Sequence, residues 1–393
     1  MMTALRAGWL WDGTGRDAIR DGVVLVADRQ IAAVGRAGDV RVPPEAELIE
    51  RPDEFLMPGL IDAHTHITII PALGNQSGQM TQPIERQLLR GVGNLRRTLR
   101  SGVTTARIMG EERWLDVVFK EEIERGTVPG PRLLVATRPL TASNGHGRAL
   151  SAFDGSDEVR KGARENLHAG ADFLKIFLTG GVSSTRGGLN APNYTREEVR
   201  AAVEEAERRG TYVAAHAIGG PGIRLGVAEG VRTIEHATLA SDEDLVFIKE
   251  HGAWVVLTQA IMLHPTGIEQ GDRDNPAIMA KLRDARGRAA ERYRAIIASG
   301  VHYTIGTDSM HGLMAFEIAQ LVQWGATPTE ALLAATQRAA QCCCMDDRVG
   351  TLEEGKLADL IMLHGNPLED IRAVEQVRFI MKGGQRYDSL SPE

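Results

Sequence analysis

Cysteine is nearly absent: the 393-residue chain has three, standing side by side as Cys342, Cys343 and Cys344. An odd, adjacent set is no disulfide framework, and a reducing cytoplasm is the expected home. No apolar run approaches the roughly 20 residues that cross a bilayer. Residues 1–15 are interrupted by Asp12 before a signal-peptide core could form. Positive charge is in deficit, with 45 Lys plus Arg against 52 Asp plus Glu and a net charge of −7, and there is no basic run. Neither nucleic acid nor an anionic membrane is therefore the expected partner. Internal repeats and low-complexity tracts are missing too. What is present, 43% hydrophobic and 25% charged residues, is ordinary for a globular chain long enough to bury a large core. A small-molecule substrate is the expected partner, with homo-oligomerisation left open.

Two textures alternate along the chain. Near the N-terminus, short apolar runs at 4–10, 22–27 and 30–34 are separated by turns at Asp12-Gly13, Asp21-Gly22 and Asp28-Arg29, and 359–363, 377–381 and 385–387 repeat that texture at the C-terminus. Neither end buries much alone, so the two are expected to pair. Between them, strand-like runs at 60–66, 103–108, 132–139, 173–178, 212–217, 233–237, 254–259 and 303–307 alternate with helical stretches, clearest at 84–100, 195–209 and 277–299. In the first helix Leu88, Val92, Leu95 and Leu99 share one face, and Thr195 with Glu198 forms a capping-box pattern. Eight strand–helix alternations imply an α/β fold: a (β/α)8 TIM-type barrel over 58–349, with a small composite β-sandwich domain built from 1–57 and 350–393.

Chemistry gathers at the strand ends. The first barrel strand closes on Asp62-Ala63-His64-Thr65-His66, and residues two apart on a strand face the same side. Lys175 stands alone in the apolar run Phe173-Leu174-Lys175-Ile176-Phe177-Leu178, where a buried charge requires a partner. Later strands end in Ala215-His216, Glu235-His236 and Gly306-Thr307-Asp308. One such histidine alone reads as a satisfied core residue. Four histidines, a lysine and an aspartate converging from five strand ends read as a metal site.

Pro58-Gly59-Leu60-Ile61-Asp62-Ala63-His64-Thr65-His66 resembles the strand-one motif of the amidohydrolase superfamily of binuclear-metal type. Val349-Gly350-Thr351-Leu352-Glu353-Glu354-Gly355-Lys356-Leu357-Ala358-Asp359-Leu360 is similar to its C-terminal signature. The resemblance implies that His64, His66 and Asp308 hold a buried divalent metal and that His216 and His236 hold a second. It further implies that Lys175, carboxylated by CO₂, bridges them as a carbamate. Zinc suits that donor set. A shared water would be activated and Asp308 would carry its proton to the leaving group. The segment Arg138-Pro139-Leu140-Thr141-Ala142-Ser143-Asn144-Gly145-His146-Gly147 resembles the prolidase and Xaa-Arg dipeptidase branch, which implies that His146 binds the substrate carbonyl. One departure is Ile218, where some peptidase members carry tyrosine.

The implied activity is metal-dependent hydrolysis of an amide-type bond, in a dipeptide or an N-acyl amino acid. Ureas, carbamates, cyclic amides and lactones form the alternative, and a non-catalytic assembly protein of the same fold is the distant third. Arg186 and Tyr194 are candidates to clamp a substrate carboxylate, and His311 to touch substrate. Residues 74–82, rich in Gly, Gln and Ser, read equally as a lid or a surface loop. His168, His251, His302 and His364 read as structural, and the triple cysteine as small packing side chains.

Overall fold

Apolar β-branched runs build the strands. A computed structural model describes residues 2–185 and 187–387, with strands β1 (Met2–Leu10), β2 (Ile19–Ala27), β3 (Gln30–Arg36), β4 (Glu47–Pro58), β5 (Leu60–Thr65), β6 (Val103–Ile108), β7 (Arg132–Val135), β8 (Leu174–Phe177), β9 (Val213–Ala217), β10 (Thr233–His236), β11 (Trp254–Leu257), β12 (His302–Ile305), β13 (Leu360–His364), β14 (Val377–Lys382) and β15 (Gln385–Arg386). The chain divides into two compact units. One comprises Met1–Ala63, Arg96–Ala106 and Gly312–Glu393, the other His64–Leu95 and Arg107–His311.

In the first unit the chain ends pair as the turn pattern anticipates, and the hydrogen bonds give one seven-stranded sheet, β15-β14-β13-β4-β1-β2-β3. Leu5 lies opposite Val24 in β2 and Ile49 in β4, while Met57 lies opposite Ile361 in β13. Leu5, Leu10, Val24, Ile31, Leu56, Leu360, Met362 and Phe379 pack into a single apolar cluster. Strand β4 was not expected from the sequence, because its first half, Glu47-Leu48-Ile49-Glu50-Arg51-Pro52-Asp53-Glu54, is polar and holds a proline. The register with β1 slips between Ala7 and Trp9, and Gly8 there lies against the Pro52 carbonyl. A bulge is where a strand tolerates proline. Ahead of the cysteines stand two short helices, Pro328–Ala334 and Gln337–Cys342, the second preceded by Thr336 in a non-helical conformation.

The second unit carries the parallel five-stranded sheet β12-β11-β10-β9-β8 and the C-terminal ends of β5 and β6, which with β7 form a three-stranded sheet. Backbone hydrogen bonds also run beyond both sheets: Leu140 N to Lys175 O at 2.8 Å, Phe177 N to Leu140 O at 3.0 Å, and Asp308 N to His64 O at 2.7 Å. The helix Ile84–Arg100 has the expected bounds, and Thr195 caps Arg196–Glu207 with both bonds of its capping box formed. No helix among the described residues is long and apolar enough to cross a membrane.

Candidate metal centre

The strand ends of the second unit bring His64, His66, Lys175, His216, His236 and Asp308 to one cavity of about 60 Å³, which His146 also lines. Nitrogen and carboxylate atoms of His64, His66 and Asp308 lie within 4.8 Å of one another. His64 Nε2 is 3.4 Å and His66 Nε2 3.8 Å from Asp308 Oδ1, and His236 Nδ1 is 4.0 Å from Asp308 Oδ2. The His236 ring centroid is 4.8 Å from that of His64 and 4.6 Å from that of His216.

Backbone conformation delivers these groups. On a regular strand Glu235 and His236 would point to opposite faces, yet Glu235 reaches His64 and so does His236. The break comes at His236, whose φ of 76° is left-handed, followed by Ala237 at 49°. Asp308 (φ 47°) and Ser309 (φ 71°) turn the chain after β12 in the same way. Non-glycine residues held there cost on the order of 1–3 kcal/mol each and cluster at functional sites. Gly306, two residues earlier, is required by close approach, since a Cβ at that position would meet His64 N at 2.3 Å.

The outer ring nitrogens are fixed. His64 Nδ1 donates to Glu235 Oε2 at 2.7 Å, His66 Nδ1 to the Gly110 carbonyl at 2.9 Å, and His216 Nε2 to the Gly180 carbonyl at 3.1 Å. His236 Nδ1 lies 2.7 Å from Thr258 Oγ1. Glu235 is anchored by Arg107 Nη2 at 2.9 Å and 3.1 Å and by the Thr233 hydroxyl, with Arg107 and Glu235 both fully buried. Such outer partners set the tautomer and raise the basicity of the inward nitrogen.

Electrostatics match this arrangement. Burial lowers the His66 and His146 pKa values to about 4 and those of His216 and His236 well below the usual imidazole range, so all four rings are neutral. Burial alone would raise Asp308, but His64, His66 and Lys175 outweigh it and hold the carboxyl ionised. Glu235 is drawn down to about 2, against its burial, by Arg107 and His64. Burial also pushes the Lys175 amine down to about 8. Its Nζ, on a residue 1% exposed, has no hydrogen-bond partner among the described residues. An orphaned amine among neutral imidazoles and a carboxylate is a poor end state for a buried polar group. The donor set fits divalent cations, and the lowered pKa enlarges the unprotonated fraction of the amine, the form that can react with CO₂.

The remaining candidates fall elsewhere. The Tyr194 hydroxyl is buried and donates to the Phe153 carbonyl at 3.0 Å, so it does not present a clamp to the cavity. His311 Nε2 sits 3.3 Å from the Ile69 carbonyl, and neither Tyr194 nor His311 lines the cavity with Lys175. Arg186 lies outside the described residues. Residues 74–82 are partly helical, as Gln76–Gln79, and Gln76, Ser77 and Met80 line the cavity. Arg107 and Glu235 were not singled out beforehand. The signal was the one that exposed Lys175, a lone charge in an apolar strand, which occurs with opposite signs in β6 and β10.

The Amidohydrolase family profile matches residues 55–386. Ochratoxinase of Aspergillus niger is 29% identical over 98% of this chain and 86% of its own length, and its crystal structure superposes with a TM-score of 0.88, 28% identity and coverage of 98% and 95%. The crystal structure of a Xaa-Pro dipeptidase with bound methionine in the active site gives a TM-score of 0.90 at 27% identity, covering 98% of this chain and 100% of that one. Imidazolonepropionase of Symbiobacterium thermophilum is 24% identical over 88% of this chain and 84% of its own length.

Proposed function

The chain belongs to the amidohydrolase family of hydrolytic enzymes, and from that membership we propose that it is a binuclear metal-dependent hydrolase of amide-type bonds. Its substrates in this reading are dipeptides or N-acyl amino acids, and the cytoplasm, which suits its few cysteines, is its compartment. The observation that carries the reading is the buried, unpartnered amine of Lys175 among His64, His66, His216, His236 and Asp308. Similarity to ochratoxinase and to a Xaa-Pro dipeptidase supports the amide bond. The backbone bonds at Leu140 and Asp308 support joining the two parallel-strand groups into one (β/α)8 barrel over 58–349, beside a composite β domain of 1–57 and 350–393.

His64, His66 and Asp308 would hold one divalent ion and His216 and His236 another, with a carbamate on Lys175 between them; zinc suits these donors. When bound, the ions supply Lewis acidity and a water of lowered pKa. The protein supplies the rest. Asp308, kept ionised by its histidine neighbours, takes the proton from the attacking water and passes it to the departing nitrogen. His146, neutral at pH 7, offers an N–H to the substrate carbonyl oxygen as charge builds there. Glu235 and Arg107 keep His64 Nε2 turned inward.

A second reading, a non-peptide carbonyl substrate such as a urea, carbamate or lactone, draws support from Ile218, which gives the cavity an apolar wall where some peptidases have tyrosine. One experiment separates the readings. Metal content of purified protein is measured, with two ions per chain expected. Zinc-loaded enzyme is then assayed on dipeptides, N-acyl amino acids, ureas and lactones. Cleavage of ureas or lactones alone selects the second reading, and a fully loaded but inert protein overturns both.

A further inference from the structure

The cavity around Lys175 has an apolar half that the metal chemistry does not use. Ile69, Met80, Ile218, Ile261, Met262 and Ile268 line it, and each is no more than 4% exposed. Among the described residues no arginine lines this chamber. Arg148 lines a second, polar chamber of about 420 Å³, which shares Gln76, Ser77, Gly147 and Ser183 with the first. Both halves of a substrate-reading surface are therefore visible: an apolar wall inside and a polar space outside.

Gln76 stands at the junction. Its Nε2 is buried and has no hydrogen-bond partner among the described residues. Leaving an amide donor dry and unpaired costs about 1–3 kcal/mol, and such exceptions need a reason. Chain flexibility does not supply one, because the segment carrying Gln76 is pinned. Gln79, three residues on, bonds both backbone groups of Ile70 at 2.9 Å and the Gly74 carbonyl at 2.8 Å, and is itself held by Arg90 at 3.1 Å. Asn75 N donates to Asp272 at 3.2 Å. Gly271 fits so closely that a Cβ there would meet the Pro71 carbonyl at 2.0 Å. These bonds tie residues 70–79 to 268–272 as a fixed wall and hold Gln76 where it is.

We infer that this chamber is the side-chain subsite of the enzyme. It takes an apolar amino-acid or acyl side chain against Ile69, Met80 and Ile218, while Gln76 Nε2 donates to a carbonyl or carboxylate oxygen of the same substrate. The inference rests on the amide-hydrolase reading above and names its substrate class. An apolar side chain gains about 1.5–3 kcal/mol on full burial, and a charged one has no counter-charge on this wall. One neutral hydrogen bond corresponds to about a tenfold change in affinity at the upper end of its range.

The test uses zinc-loaded full-length protein. Calorimetry compares L-leucine, L-aspartate and L-lysine as ligands for wild type and for Gln76→Leu. Steady-state kinetics then compares N-acetyl-leucine with its C-terminal amide and with N-acetyl-aspartate. Leucine is expected to bind at least about tenfold tighter than aspartate or lysine, and Gln76→Leu to weaken leucine about tenfold with metal content unchanged. Equal loss on acid and amide identifies a neutral carbonyl as the acceptor; greater loss on the acid identifies a carboxylate, and both support the subsite. Binding of aspartate as tight as leucine, or a variant within twofold of wild type, overturns it. Because calorimetry needs no turnover, selective binding without hydrolysis would sink the amide-hydrolase reading and leave the subsite standing.

Discussion

Replacing Lys175 by alanine removes the buried amine that lines the cavity and with it the anion it would form. Turnover is expected to fall roughly a hundredfold or more, with partial recovery when a short carboxylic acid is added; assay with and without acetate checks this, and wild-type turnover without rescue would make the lysine structural. Asp308→Asn keeps the side-chain volume and loses the ability to carry a proton. A fall in kcat of about 10²–10⁴ is expected, read across pH 6–9 together with metal content, which should change far less. Glu235→Gln acts one layer further out. It leaves an acceptor for His64 Nδ1 but removes the charge that answers Arg107, so metal affinity is expected to drop about 10–100-fold in a chelator competition. Unchanged affinity would show that Glu235 serves packing alone. At this scale the sequence was readable wherever side chains of one chemistry recur at strand ends, which is why His64, His66, Lys175, His216, His236 and Asp308 stood out. Arg107 and Glu235 carried the lone-charge signal of Lys175, but their pairing across 128 residues is supplied only by the folded chain; Gln76 carries no sequence signal, since what marks it is an amide left without a partner once folded.

Elements were legible in proportion to their periodicity. The helix Ile84–Arg100 and the capping box at Thr195 appear where the pattern puts them. Strand β9 ends with its apolar run and β8 and β10 one residue short of theirs, whereas β7, β11 and β12 end two to four residues early; backbone such as Thr137 (φ 64°) leaves the extended region while the side chain remains buried. Strand β4 was invisible because its N-terminal stretch is mostly polar and exposed and its proline sits in a bulge of β4 itself, opposite Gly8 of β1. The capping box gives this scale its own prediction. Thr195→Ala deletes the hydroxyl that accepts from Glu198 N and should cost about 1 kcal/mol of stability, measured by urea denaturation, with kcat on any substrate untouched.

Across the whole molecule, the seven-stranded sheet makes the two chain ends one piece. Truncation before β13 would strip Leu360, Met362, Phe379 and Met381 from its core and is expected to abolish soluble expression; a truncated chain that stays soluble and melts cooperatively would contradict that. The pairing of β4 with β13 also has a consequence during synthesis. Strand β4 ends at Pro58 and its neighbour begins at Leu360. At translation speeds of about 5–20 residues per second, that edge emerges from the ribosome roughly 15–60 s before the strand that covers it. Through that interval a nascent chain displays an open apolar β-edge, Phe55-Leu56-Met57, to every other polypeptide nearby.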